Sequence, residues 1–185
     1  MKNILKNAII LTLITLVAGT ALAFVYSITK EPIALVEKQA TAQAYKTVFA
    51  DADEFEEIKF DDKNVAENST IYAISKAKSD DDTIGYVMTV SSKGYGGEIK
   101  LAVGIDLEGE ITGISILDAS NETPGLGAKV KEDKFTSQFK GIKTGEIENK
   151  VDAISGATFS TNGVKNAVSS ALDYFEENLK EGEAK

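Results

Sequence analysis

The sequence predicts an α+β fold: an antiparallel β-meander followed by packed helices, carried behind one N-terminal apolar helix. Three observations predict it. Ala8 to Ile28 runs 21 residues without a charge, four β-patterned segments follow one another between residues 70 and 117, and the chain then turns to helical spacing, most clearly over 160–179. Strands that come in succession before helices, rather than alternating with them, are the α+β pattern.

The N-terminal run is long enough for a bilayer, which needs about 20 residues. Lys2 and Lys6 precede it, and Lys30-Glu31-Pro32 follow. The positive-inside rule therefore places residues 1–30 as a single-pass span with a cytoplasmic start, and the remainder outside, at the cell (inner) membrane. Thr15, Gly19 and Ala23 share one face of this helix, where small residues suit helix contact. Ala21-Leu22-Ala23 also fits a signal-peptide processing site, but the apolar run exceeds the 7–15 residues of a usual signal core, so retention is the expectation. No cysteine follows, which excludes a lipoprotein anchor.

Residues 31–50 place Ile33, Val36, Ala40, Ala44 and Val48 at helical spacing, predicting a linking amphipathic helix with a break at Pro32. Residues 51–185 form the main domain, and its first stretch, 51–69, is acidic and irregular. Strand patterns run from Thr70 to Lys76, Thr83 to Ser91, Glu98 to Ile105 and Glu110 to Leu117, with Asp80-Asp81-Asp82 and Asp106-Leu107-Glu108-Gly109 as turns. A short helical pattern from Lys129 to Phe139 turns Val130, Phe135 and Phe139 inward, residues 150–154 resemble a last short strand, and Val164, Val168, Ala171, Leu172, Phe175 and Leu179 stripe the terminal helix.

Ser155-Gly156-Ala157-Thr158 sits just before that helix, where Ser160 or Thr161 is the expected N-cap. Unpaired first-turn amides and the positive end of the macrodipole stabilise an anion, and Gly156 and Ala157 let a phosphate approach the backbone. Taken as four small residues alone, the stretch reads as an ordinary strand-to-helix loop. Thr123-Pro124-Gly125-Leu126 specifies a type II turn with positive φ at Gly125, and Gly127 keeps the next backbone bare. Gly94-Tyr95-Gly96-Gly97 reads either as a loop before a strand or as an aromatic lid over a ring system.

Composition narrows the chemistry. The chain has no His, Cys or Trp, and all 20 basic residues are Lys. Histidine-assisted serine or cysteine nucleophiles are absent, as are imidazole or thiolate ligands for zinc, haem or iron–sulfur clusters. Chemistry here has to come from an organic cofactor. Net charge is −9, and removing Lys2, Lys6 and Lys30 leaves residues 31–185 at −12, which argues against nucleic acid as a partner.

Taken together, one N-terminal span, Gly94-Tyr95-Gly96-Gly97-Glu98-Ile99, Glu122-Thr123-Pro124-Gly125-Leu126-Gly127 and Asp152-Ala153-Ile154-Ser155-Gly156-Ala157-Thr158-Phe159-Ser160 resemble the FMN-binding domain family. Within it, the chain is similar to the G subunits of the Rnf ion-translocating ferredoxin:NAD oxidoreductase complex, relatives of the C subunit of the sodium-pumping NADH:quinone oxidoreductase. The resemblance covers nearly the whole chain. It implies a covalent FMN, its phosphate esterified to Thr158 by a separate flavin transferase outside the cytoplasm, with Ser160 and Thr161 as neighbouring alternatives. It implies that Ser155, Gly156 and Ala157 meet the phosphate end and that Glu122, Thr123, Gly125, Leu126, Gly127 and Tyr95 line the flavin ring. Asp152 matches an acidic position that serves the transferase or its metal, or is an ordinary surface aspartate; Lys129 stands either near the ring or simply exposed at a helix start.

By the same resemblance the chain carries electrons between ferredoxin and NAD within a complex coupled to sodium or proton translocation, and performs no catalysis alone. Its partners are integral and peripheral subunits, one with a second covalent flavin and others with iron–sulfur clusters. Two rivals share the motifs: a stand-alone membrane-anchored flavoprotein, and a non-redox binding module whose glycine loops only turn the chain.

Overall fold

The computed structural model describes residues 2–60 and 69–180. It divides into two compact units, residues 1–40 and 41–185. Helix α1 (Lys2–Val48) spans the first unit and enters the second. Its most apolar stretch has a mean hydropathy of 2.5 and none of it is buried, so it is long and apolar enough to cross a membrane. The hydroxyls within it are satisfied locally: Thr12 donates to the Ala8 carbonyl at 2.9 Å, Thr20 to Leu16 at 2.8 Å and Thr29 to Val25 at 3.0 Å. Such back-bonding lets polar residues sit in an apolar solvent. The expected break at Pro32 is absent, and the helix passes through it. A proline there removes one amide donor, and the neighbouring helical bonds carry the backbone on.

The second unit is built on a five-stranded antiparallel sheet in the order β1-β2-β3-β4-β5, with β1 at Glu54–Ile58, β2 at Ser69–Ser79, β3 at Asp82–Lys93, β4 at Glu98–Asp106 and β5 at Ile111–Asp118. Four strands fall where the alternation predicts. β1 does not: the composition of residues 54–58 predicts irregular chain, yet they form an edge strand on β2 because Glu56 pairs with Lys78 and the Phe55 ring meets Tyr45 edge-on at 5.4 Å. Of that predicted irregular stretch, residues 61–68 lie outside the described residues. The Asp80-Asp81 turn holds φ of 50° and 73°, the paired positive values that match a hairpin to strand twist.

One face of the sheet carries Ile74, Met88, Val90, Leu101 and Val103, all fully buried beneath the terminal helix α4 (Thr158–Tyr174). Val164, Val168, Ala171, Leu172 and Phe175 meet them, as the stripe predicts. Each large apolar side chain removed from water here contributes about 1.5–3 kcal/mol. The other face is made of small residues, Ala77, Val87 and Ala102, against Ala44, Tyr45, Val48 and Phe49 from the end of α1. Gly104 permits that approach, since a Cβ there would lie 2.9 Å from the Val48 carbonyl oxygen.

Between β5 and α4 the chain makes a 3₁₀ turn (Gly127–Lys131), the single helical turn α2 (Asp133–Thr136), a second 3₁₀ turn (Ser137–Phe139) and the single turn α3 (Ile147–Lys150). Val130, Phe135 and Phe139 are buried as expected. The predicted strand at 150–154 does not form. Val151 instead plugs the core at 4 % exposure, and the Asp152 amide donates to the Gln138 side-chain oxygen at 2.8 Å rather than to a ladder. The terminal helix also ends differently, closing in a π turn at Phe175–Leu179.

Candidate functional site at the mouth of the terminal helix

Three loops meet at the N-terminus of α4. The loop preceding the helix turns at Gly156, whose φ of +78° suits glycine, and the Ala157 amide donates to the Ile154 carbonyl at 2.9 Å. Ala157, not Ser160 or Thr161, occupies the N-cap, and no side chain caps the helix. The expected capping hydroxyls point elsewhere because better partners exist inside. Thr161 is fully buried and accepts the Ile154 amide at 3.1 Å, while Ser160, 1 % exposed, donates to Glu122 Oε2.

The second loop is the predicted type II turn. Gly125 has φ +75° and the Leu126 amide donates to the Thr123 carbonyl at 3.1 Å. The third is Gly94–Gly97, closed by a Gly94 amide to Gly97 carbonyl bond of 2.7 Å. It presses on the second: a Cβ at Gly96 would lie 2.7 Å from the Asn121 carbonyl carbon, and one at Gly97 2.9 Å from the Asn121 side chain. Helix α4 closes the third side, with Gly163 so near that a Cβ would stand 2.8 Å from the Lys93 oxygen.

The loops enclose an open cleft of about 380 Å³ lined by Tyr95, Thr123, Leu126, Gly127 and Gly156 through Ser160. This falls within the roughly 300–1,000 Å³ range of ligand sites. Its rim is apolar. Tyr95 is 70 % exposed, Phe159 71 % and Leu126 43 %, and the two rings stand 6.2 Å apart at 48°. Thr158, next to Phe159 in this lining, is exposed, and its hydroxyl makes no hydrogen bond among the described residues. The first turn of α4 leaves its amides without intrahelical acceptors, so the mouth favours negative charge.

The structure brings Tyr95, Thr123, Leu126, Gly127, Gly156, Ala157 and Thr158 to one cleft. Three other predicted residues stand apart from its lining. Gly125 shapes the turn, Glu122 is buried behind the wall at 3 % exposure, and Ser155 faces a neighbouring cavity. That cavity, about 500 Å³, is lined by charged side chains including Lys129, Glu132, Lys134 and Asp152. Phe159 is the lining residue that sequence reasoning missed. Its signal was an aromatic standing outside the apolar stripe of an amphipathic helix.

The cleft's features are those of a site for a flat ligand with an anionic tail, and residues 94–173, which contain all three loops, match the FMN-binding domain family. Residues 1–48 match the RnfG N-terminal region. The chain is 32 % identical over 194 residues to the G subunit of the sodium-translocating ferredoxin:NAD(+) oxidoreductase complex of Acetobacterium woodii, covering 95 % of this chain and 93 % of that one. It is also 32 % identical over 171 residues to the G subunit of the proton-translocating complex of Clostridium ljungdahlii, covering 88 % and 86 %. A crystal structure of the C subunit of the sodium-translocating NADH-quinone reductase from Parabacteroides distasonis superposes with a TM-score of 0.46 at 27 % identity, over 57 % of this chain and 61 % of that one. The chain belongs to the family of G subunits of the ion-translocating Rnf oxidoreductase complexes, and bears that family's FMN-binding domain.

Proposed function

We propose that this chain is an electron-carrying subunit of an ion-translocating ferredoxin:NAD oxidoreductase complex, holding FMN covalently through a phosphoester to Thr158. The observation that carries the attachment site is the contrast among the three hydroxyls at the helix mouth. Thr158 is exposed and uncommitted, whereas Ser160 and Thr161 are buried and spend their oxygens on Glu122 and Ile154. Of these three hydroxyls, a transferase acting on the folded chain meets that of Thr158.

FMN supplies the electron chemistry, and the protein supplies position and polarity. Gly156 and Ala157 keep bulk away from the phosphate, the first-turn amides of α4 stabilise its charge, and Tyr95, Leu126 and Phe159 offer an apolar face to the ring. The cleft stays open to solvent, which suits a relay that hands electrons to another protein. The sodium and proton complexes among the relatives support ion coupling of either kind. Helix α1 anchors the chain in the membrane, and the two lysines before the apolar run support a cytoplasmic start, with the FMN domain and its flavin transferase outside. Partner proteins with a second covalent flavin and iron–sulfur clusters complete the relay in this reading.

The test is a denaturing gel of membrane-expressed protein viewed for flavin fluorescence. Wild type gives a fluorescent band, and Thr158→Ala abolishes it. A band that persists in Thr158→Ala and vanishes in Ser160→Ala moves the site, and a dark wild-type band beside an active transferase removes the flavoprotein reading. Copurification with several membrane subunits is expected; a monomer in detergent favours the stand-alone carrier.

A further inference from the structure

Glu122 is the only buried carboxylate among the described residues, at 3 % exposure. It forms no ion pair there. Its Oε1 accepts the Gly96 amide at 3.0 Å and its Oε2 accepts the Ser160 hydroxyl. Both oxygens are thereby engaged by neighbouring groups. They also tie together the loop that carries Tyr95 and the helix turn that carries Thr158 and Phe159.

The carboxylate lies one layer behind the cleft. Gly127 and Ser160 line the cleft, and both touch Glu122 from the other side: a Cβ at Gly127 would collide with Oε2 and lie 3.2 Å from the Glu122 Cβ. The bareness of Gly127 is what lets the charge come this close. The low effective dielectric of a buried position strengthens the field such a charge exerts.

We propose, resting on the FMN reading of the cleft, that Glu122 is a positioning residue whose buried negative charge disfavours the build-up of negative charge on a ring held in front of Gly127 and Ser160. It thereby holds the flavin at a low potential while clamping the aromatic loop to the helix mouth. A charge within two residue layers, at the effective dielectric of a protein site, changes a reduction equilibrium by on the order of tenfold.

The experiment uses the full membrane-expressed chain, flavinylated in the cell, with in-gel fluorescence read first and the midpoint potential then measured by dye-equilibrated reductive titration. Glu122→Gln keeps an acceptor for Gly96 and loses the charge. It is expected to remain fluorescent and to raise the reduced-to-oxidised ratio at a fixed applied potential about tenfold. Glu122→Asp keeps the charge and is expected to stay within about threefold of wild type, which a merely structural role would not predict. A fluorescent Glu122→Gln band with an unmoved potential overturns the inference and leaves the FMN reading standing. So does a rise in Glu122→Asp equal to that expected of the neutral variant, which keeps the question decidable should Glu122→Gln not fold. A dark wild-type band ends both.

Discussion

The loop from Ser155 to Thr158 separates two cavities of unlike character. On one side is the cleft, rimmed by two exposed aromatic rings and a leucine and lined by the uncommitted hydroxyl of Thr158. On the other is a larger hollow lined by Lys129, Glu132, Lys134, Gln138 and Asp152. Gly156, Ala157 and Thr158 line the cleft, whereas Ser155 lines the hollow. Flanking sequence, more than the four-residue motif, therefore sets the character of each cavity: apolar rings on one side, charged side chains on the other.

The largest expected effect comes from spoiling the cleft wall. Gly127→Ala drives a methyl into Glu122 and to within 2.5 Å of the Ser160 oxygen. Overpacking of this kind costs roughly 1–3 kcal/mol. Thermal unfolding in detergent should show Tm lowered by several degrees, and an unchanged Tm would mean that the wall yields easily. Next is Phe159→Ala. This ring is so exposed that stability should stay within about 0.5 kcal/mol of wild type. Flavin fluorescence anisotropy should nevertheless fall as the ring loses one apolar neighbour, and an anisotropy equal to wild type would assign the ring to other contacts.

A smaller effect is expected across the wall. Asp152→Ala should lower the flavinylated fraction while leaving Tm unaltered, if the charged cavity is where the transferase engages the chain. Full attachment in that variant would make Asp152 an ordinary surface residue. The smallest effect lies just beyond the Gly94–Gly97 loop, where Glu98 begins β4 opposite Lys93. The Ser91 hydroxyl, and after it that of Tyr72 at 2.8 Å, hold the Glu98 carboxyl below its ordinary range. A carboxyl depressed in the folded state adds stability above its unfolded pKa, and loses it as pH falls through the folded value. Tyr72→Phe should therefore lower stability slightly at neutral pH and leave it nearly unchanged below the glutamate range, narrowing the gap between urea midpoints measured at the two pH values. A gap as wide as that of wild type would show that Ser91 alone holds the carboxyl down.

Periodicity made the meander and the buried face of α4 legible, because alternating and 3.6-residue patterns report directly on which side chains face a core. β1 escaped because Glu54–Ile58 is short and acidic, and its strand state comes from pairing with β2 rather than from its own preference. The strand pattern at 150–154 misleads because Val151 is apolar for the sake of packing, with no neighbouring strand to pair. At the site, Thr158 and the glycine turns were readable from residue type, since positive φ and small size are local properties. Glu122 is expected at the ring and lies behind the wall. Its place depends on Gly96 and Ser160, which are 26 and 38 residues away in sequence.

The burial of Ser160 and Thr161 has a consequence for the order of events in maturation. An unfolded chain offers three hydroxyls within four positions, all chemically alike, and an enzyme that met it early would have little basis for choosing. Folding hides two of them, so under the proposed attachment to Thr158 selectivity would be conferred by the substrate's own architecture, and the modifying enzyme would have only to wait.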